Sequence, residues 1–251
     1  MINLKQKLKN NQLTIGSWLT IANPIIAEIM SQYFEWIVID MEHSAITLDQ
    51  CQDICRIISL NQKIPLVRLS NNDPIQIKRV MDAGATGVVI PNVNSRSDAE
   101  LALKSVHYPP KGIRGVGLAR AQNYGMAFSK YKKWLSKNVV VIAQIEHTKA
   151  VKNIHQILKT DIDGIIIGPY DISASLGSPG NFSTPQFKQC VHQILKNAIY
   201  FGKPAGIHLI PPYAKDFNKL DKRYRFFAFS LDTLIFSSKI RDELNEIKKR
   251  I

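Results

Sequence analysis

Eight short apolar runs, alternating with longer segments of helical period, predict a closed parallel β/α barrel of the (β/α)8, or TIM, type. The runs are mostly continuous in apolar residues rather than alternating with polar ones, the pattern of strands covered on both faces. The alternation proceeds without a linker or an internal repeat, so 1–251 is expected to be one barrel domain. Its 251 residues are about what such a barrel needs. An open, doubly wound sheet gives a similar alternation and is the competing arrangement.

The elements follow in order. The first run, IGSWLT (Ile15–Thr20), precedes NPIIAEIMSQY, apolar at i, i+3 and i+4. The second, WIVID (Trp36–Asp40), precedes LDQCQDICRIISL, where Cys51 and Cys55 share one helical face as small apolar residues. The third, PLVRL (Pro65–Leu69), leads into NDPIQIKRVMDAG, with a proline just after a capping residue. After GVVIP (Gly87–Pro91) come roughly forty-five residues, more than one helix needs. Within them HYPPKGIRGVGLARAQNYG (His107–Gly125) sets Gly112, Gly115 and Gly117 among Arg114 and Arg120. It reads as a loop that follows its strand over one end of the barrel. Its glycine spacing, and its failure to join a strand directly to a helix, exclude a dinucleotide fingerprint. The last four runs are VVVIAQI (Val139–Ile145), GIIIG (Gly164–Gly168), AGIHLI (Ala205–Ile210) and FFAFS (Phe226–Ser230). STPQ, between the sixth and seventh, is a second helix start with proline behind a capping residue.

Composition excludes several classes. The chain is 45% hydrophobic and 21% charged, without a low-complexity tract. Three scattered cysteines make no disulfide framework and no zinc spacing. The start, MINLKQKLKNN, lacks the apolar core of a secretory signal, and no apolar stretch is long enough to span a bilayer. A reduced, cytoplasmic protein without membrane contact is expected. The formal charge of +13 is spread along the chain, and no Lys/Arg block is interleaved with aromatics. A solvated basic surface, rather than nucleic-acid binding, is the expected reading.

In a barrel of this kind the C-terminal strand ends converge on one face. The second run ends in Asp40, Glu42 and His43, the third in Arg68, and the fourth in Pro91 and Asn92. The fifth gives Gln144 and Glu146, the sixth Asp171; the seventh contains His208, and Asp232 follows the eighth. Glu146 and Asp171, on neighbouring strands, are placed to share a hard divalent cation such as Mg²⁺, which takes one or two carboxylates and completes its octahedron with water and substrate oxygens. The plainer alternative is that each acid caps a helix or pairs with a surface lysine. Arg68 closes a buried strand, so it either pairs with an acid such as Asp40 or forks onto a substrate carboxylate or enolate. His43 is either a satisfied structural histidine or a proton carrier. His147 points the opposite way from Glu146 if the strand continues.

These residues, together with GSWLTIANPIIAEIM, WIVIDMEHS, VRLSNNDPIQIKRVMDAGATGVVIPNV, YPPKGIRGVGLARAQNYG, QIEHTKAVKNIHQIL and GPYDISASLGSPGN, span nearly the whole chain. In that order they resemble the metal-dependent pyruvate aldolases of the HpcH/HpaI (2,4-dihydroxyhept-2-ene-1,7-dioate aldolase) family. The resemblance implies a barrel of the phosphoenolpyruvate/pyruvate type, assembled as a homo-oligomer, with a hexamer expected. It implies a divalent cation (Mg²⁺, or Mn²⁺ or Co²⁺) held by Glu146 and Asp171, a catalytic His43 and a substrate-binding Arg68. It makes Asp82 the partner of His43, reaching across from a neighbouring subunit. It assigns Gln144 to the substrate, Trp18 to the pocket wall, and the backbone of Gly168, Tyr170 and Asp171 to the substrate carboxylate. AFSLDTLIFSS is a loose version of the family's last strand and turn, and Tyr170 stands where some members have alanine, so the aldehyde side is not fixed by the resemblance.

The implied reaction is that of a carbon–carbon lyase, a class II aldolase. It cleaves a 4-hydroxy-2-oxo acid reversibly into pyruvate and an aldehyde through a metal-stabilised enolate. The strand ends carry no lysine for a Schiff base, which agrees. A 2-dehydro-3-deoxy-sugar-acid aldolase or an oxaloacetate decarboxylase would use the same enolate. A binding protein on a retained barrel is the alternative from another class.

Overall fold

The computed structural model describes residues 3–210, 213 and 217–251. Eight parallel strands close into a barrel in sequence order. They are β1 (Thr14–Leu19), β2 (Trp36–Asp40), β3 (Ile64–Arg68), β4 (Gly87–Ile90), β5 (Val140–Ile145), β6 (Gly164–Ile167), β7 (Ala205–Leu209) and β8 (Phe226–Leu231). Pairing of β8 with β1, from Thr14↔Phe226 to Trp18↔Leu231, rules out the open sheet. Every expected strand forms, its ends within one residue of the sequence reading. The helices are α1 (Leu4–Lys9), α2 (Pro24–Tyr33), α3 (Leu48–Leu60), α4 (Pro74–Ala83), α5 (Arg96–Val106), α6 (Phe128–Asn138), α7 (Thr148–Leu158), α8 (Pro169–Ser175), α9 (Pro185–Tyr200) and α10 (Asp232–Lys248). Among the described residues no helix is long and apolar enough to cross a membrane.

Continuous apolar strands are explained by two separate cores. Trp36, Val38, Leu66, Val89, Val140, Ile142, Ile166 and Phe226 fill the barrel interior. The residues between them, such as Ile37, Ile39, Val67, Val141 and Ile165, pack outward against the helices. Successive side chains on a strand face opposite ways, so each strand must be apolar at both parities. Trp36 stacks on Phe226 at 4.0 Å inside the barrel. A β-carbon on Gly16 would lie 2.1 Å from the Trp36 ring and 2.3 Å from its carbonyl oxygen, so only glycine fits there. Leu4 and Leu8 of α1 join the inner core and close the end where the strands begin.

Helix starts follow the sequence signals. Asp73 caps α4 by accepting from the N–H groups of Ile75 and Gln76, with Pro74 in the first turn. Thr184 and Pro185 do the same for α9.

Two readings are corrected. Residues His107–Gly125 do not follow β4 directly. They come after α5, which returns the chain to the opposite end of the barrel, and pack there against the C-terminus of α4. Asp171 does not extend β6; it lies in the first turn of α8. In the 107–125 segment Arg114 is fully enclosed, donating to Asp82 Oδ1 at 2.5 Å and to the Tyr131 hydroxyl at 3.0 Å. Its guanidinium also lies over the Tyr108 ring, 4.8 Å from the centroid.

His107 opens this segment and is buried. Burial, and then the charges of Lys111, Lys5 and Arg114, lower its pKa from 6.5 to about 4. A base with a lowered folded pKa binds fewer protons folded than unfolded, so its stabilising contribution is present above pH 6.5 and is lost as pH falls toward 4. The loss from this residue is expected to reach about 3 kcal/mol at the acid limit. Thermal unfolding across this range should show the decline, and His107→Gln should flatten it.

Candidate active site

The inward parity of each strand, continued to its C-terminal end, delivers the polar side chains of one cavity. On β2 the inward set Trp36, Val38 ends in Asp40; on β3 Leu66 is followed by Arg68; on β5 Val140 and Ile142 are followed by Gln144 and then Glu146. Register places Asp40 directly beside Arg68. The cavity so formed has a volume of about 320 Å³; its wall includes Trp18, Asp40, Arg68, Gln144, Asp171 and His208.

Arg68 pairs with acids, as one reading of its position expects. Its Nε and Nη2 donate to the two Asp40 oxygens at 2.9 and 2.7 Å, and its Nη1 lies 3.0 Å from Glu42 Oε2. It still forms part of the cavity wall. Glu42 Oε2 is buried without an aligned hydrogen bond. Burial raises the Glu42 pKa to about 7; Arg68 opposes this, while Glu146, Asp40 and Asp171 add to it.

Glu146 is 5% exposed. One oxygen accepts the Asn92 backbone N–H at 2.5 Å, and the other accepts from the Gln144 side-chain amide. Burial raises its pKa, against those two hydrogen bonds, and the Asp171 charge raises it further. Asn92 adopts φ +52, a left-handed backbone that asparagine tolerates better than most residues. That turn aims its N–H at the carboxylate, a role for which no side-chain pattern in the sequence speaks.

Glu146 and Asp171 meet beside Gly168. A β-carbon built on Gly168 would lie 2.8 Å from Glu146 Cβ, 3.2 Å from Glu146 Oε2 and 3.5 Å from Asp171 Oδ2. Both carboxylates therefore reach one point on one rim. Asp40 and Glu42 pair with the Arg68 guanidinium, and the charges of Glu146 and Asp171 also bear on Glu42, an excess of negative charge that suits a hard cation. Among the described residues no group of three or more His, Cys, Asp or Glu side chains converges as a closed cage. Two carboxylates with open positions fit a catalytic divalent ion better than a structural one. Gly168→Ala forces a methyl against Glu146, and is expected to weaken Mn²⁺ binding by roughly tenfold or more, read by calorimetry.

The remaining expected residues fall as follows. Trp18 lies in the wall, stacked on His208 at 4.6 Å, with its indole N–H buried and unpartnered. Tyr170 stands at the mouth, edge-on to Phe182. His43 sits on the rim with its side chain 69% exposed, Nε2 3.9 Å from Glu42 Oε2. Asp232 is occupied: it accepts from the backbone N–H groups of Thr20 and Ile21 at 2.8 and 2.7 Å, tying β8 to the end of β1. Asp82 is not near His43. It lies in the last turn of α4, at the other end of the barrel, paired with Arg114.

Fold and cavity together are those of a closed (β/α)8 barrel with a polar pocket at the C-terminal ends of its strands, where barrel enzymes carry their active sites. Residues 14–233 match the HpcH/HpaI aldolase/citrate lyase family, and the chain belongs to it. The chain is 34% identical over 247 residues to 5-keto-4-deoxy-D-glucarate aldolase of Escherichia coli (strain K12), covering 98% of this chain and 96% of that one. It superposes on an HpcH/HpaI aldolase/citrate lyase family protein from Burkholderia cenocepacia J2315 with a TM-score of 0.91 at 28% identity, over 98% of this chain and 100% of that one. An HpcH/HpaI aldolase from Desulfitobacterium hafniense DCB-2 gives 0.89 at 26% identity, over 99% and 97%. Family and relatives place the chain among carbon–carbon lyases.

Proposed function

We propose that this chain is a divalent-metal-dependent aldolase that cleaves a 4-hydroxy-2-oxo acid reversibly to pyruvate and an aldehyde. The observation that carries the reading is the meeting of Glu146 and Asp171 beside Gly168, in a cavity faced by Arg68 and Gln144. The aldolase activity named for the Escherichia coli relative supports it.

Glu146 and Asp171 would hold the cation. When bound, it supplies positive charge that polarises a keto group and favours the enolate (Mg²⁺, Mn²⁺ and Co²⁺ all suit oxygen donors). The chain's own groups do the rest. Arg68, fixed by Asp40 and Glu42, directs its charge toward the oxygens of the bound keto acid. Gln144 donates to Glu146, which fixes both side chains at the cavity floor. The backbone N–H groups of Tyr170 and Asp171, in the first turn of α8, lack intrahelical acceptors and suit a substrate carboxylate. His43, on the rim, takes the proton of the 4-hydroxyl in cleavage and returns it in synthesis. Asp82 orients His43 only from a second copy of the chain, because the two lie at opposite ends of one barrel. A homo-oligomer is further supported by α10, whose apolar stripe Phe236, Ile240, Leu244 and Ile247 is exposed along its length.

Chelation with EDTA is expected to abolish pyruvate release, and Mg²⁺, Mn²⁺ or Co²⁺ to restore it. Full activity after thorough chelation would overturn the metal's role. His43→Ala should lower turnover by about 10²–10⁴-fold, the range for a lost general acid–base, while metal affinity stays unchanged.

A further inference from the structure

His208 belongs to the cavity wall, yet the reaction described above leaves it unused. It stands on β7 between Ile207 and Leu209, which pack outward against the helices, and its backbone pairs with Ala228 of the inner core. Its side chain therefore has the inward parity. The roles of its two ring nitrogens are fixed by their surroundings. Nε2 is 2.8 Å from the Ser230 carbonyl oxygen, which can only accept, so that nitrogen carries a proton. Burial lowers the pKa to about 4, so the ring is neutral at physiological pH and Nδ1 keeps a lone pair.

An irregularity in β8 holds this tautomer. The β1–β8 register shifts between Gly16 and Trp18, and Ser230 takes φ +49, a backbone that serine seldom adopts. The turned carbonyl meets the edge of the His208 ring, while Trp18 stacks on its face at 4.6 Å and 19°. Nδ1 has no hydrogen-bond partner among the described residues, and unlike the indole N–H of Trp18 it is not sealed off.

The same wall carries Ile166, Ile210 and Leu231, whose side chains form no hydrogen bonds. Nδ1 can only accept, so an O–H satisfies it, whereas a methyl, a keto oxygen or a carboxylate oxygen does not. A ligand group that displaces water from Nδ1 without supplying a donor leaves it unpaired.

We propose that His208 selects the aldehyde: its Nδ1 accepts the O–H of a hydroxyl on the aldehyde half of the substrate, so hydroxylated aldehydes are preferred over deoxy ones of the same shape. The proposal rests on the pyruvate-forming reading above and adds to it the residue that reads the aldehyde.

Glyceraldehyde and 2-methylbutanal share one shape, with hydroxyls in the first where the second has methyls. Two measurements on the Mg²⁺-loaded protein use them. Deuterium exchange into the pyruvate methyl, followed by NMR without any aldehyde, reads enolate formation alone. Steady-state addition of pyruvate to each aldehyde then gives a ratio of kcat/KM. The expected result is exchange, with a ratio of at least about tenfold in favour of glyceraldehyde. His208→Leu should lower that ratio about tenfold. His208→Gln, whose amide can donate to the Ser230 carbonyl and still offer an oxygen, should keep it within about threefold. A merely structural role for His208 would slow both aldehydes together and leave the ratio in place. Exchange without a preference for glyceraldehyde in the unmodified protein overturns the proposal alone. So does a ratio that His208→Leu leaves unmoved, or that His208→Gln fails to hold above the leucine variant. Absence of exchange overturns the pyruvate reading and the proposal with it.

Discussion

Glu146→Gln is expected to lower kcat/KM for pyruvate release by about 10³-fold, a loss typical of removing a principal electrostatic stabiliser. The replacement keeps the shape of the side chain and removes its charge. Its amide nitrogen must face either the Asn92 N–H, which contacts the carboxylate at 2.5 Å, or the side-chain amide of Gln144. Gln144 can turn its oxygen to accept, so the fold accommodates the change. Burial already works against the Glu146 charge, and Asp171 adds to the repulsion. The variant should therefore melt no lower than the parent and bind Mn²⁺ at least tenfold more weakly. Lost activity without lost stability is the signature of a group held in a strained electrostatic state for function. Retained activity, or a fall in melting temperature matching the fall in rate, would reject the assignment.

Much of the site is legible because a strand's side-chain period is two. Gln144 and Glu146 share the parity of Val140 and Ile142, and Arg68 that of Leu66, so apolar spacing alone aims them inward. The salt bridge anticipated between Arg68 and Asp40 follows from adjacent strands in matching register. The illegible parts have no period. Asp171 is placed at the rim by its position just past the sixth run, but nothing periodic in GIIIGPYD says that it stands in the first turn of a helix and not on the strand. The segment after α5 has no strand or helix spacing to say which end of the barrel it covers; its anchor is a tertiary contact between Arg114 and Asp82. Asn92 and Ser230 act through left-handed backbone and not through their side chains. Resemblance alone connects Asp82 to His43, and within one chain the barrel separates them.

Arg68 should show the opposite balance from Glu146, because its removal damages fold and chemistry together. Arg68→Ala leaves Asp40, 2% exposed, and the largely buried Glu42 without their shared cation. An uncompensated buried charge of this kind costs about 3–5 kcal/mol, measurable by urea unfolding. Arg68→Lys retains the charge, but a point ammonium cannot span both Asp40 oxygens and Glu42 as the guanidinium does. It is expected to recover most of the stability while kcat/KM stays about 10²-fold low. The double variant Arg68→Ala with Asp40→Asn separates the two effects. Removing the stranded charge should return a large part of the lost stability, yet activity should remain at the level of Arg68→Ala. If the double variant regains activity along with stability, Arg68 serves only to neutralise Asp40, and its proposed contact with the keto acid is wrong.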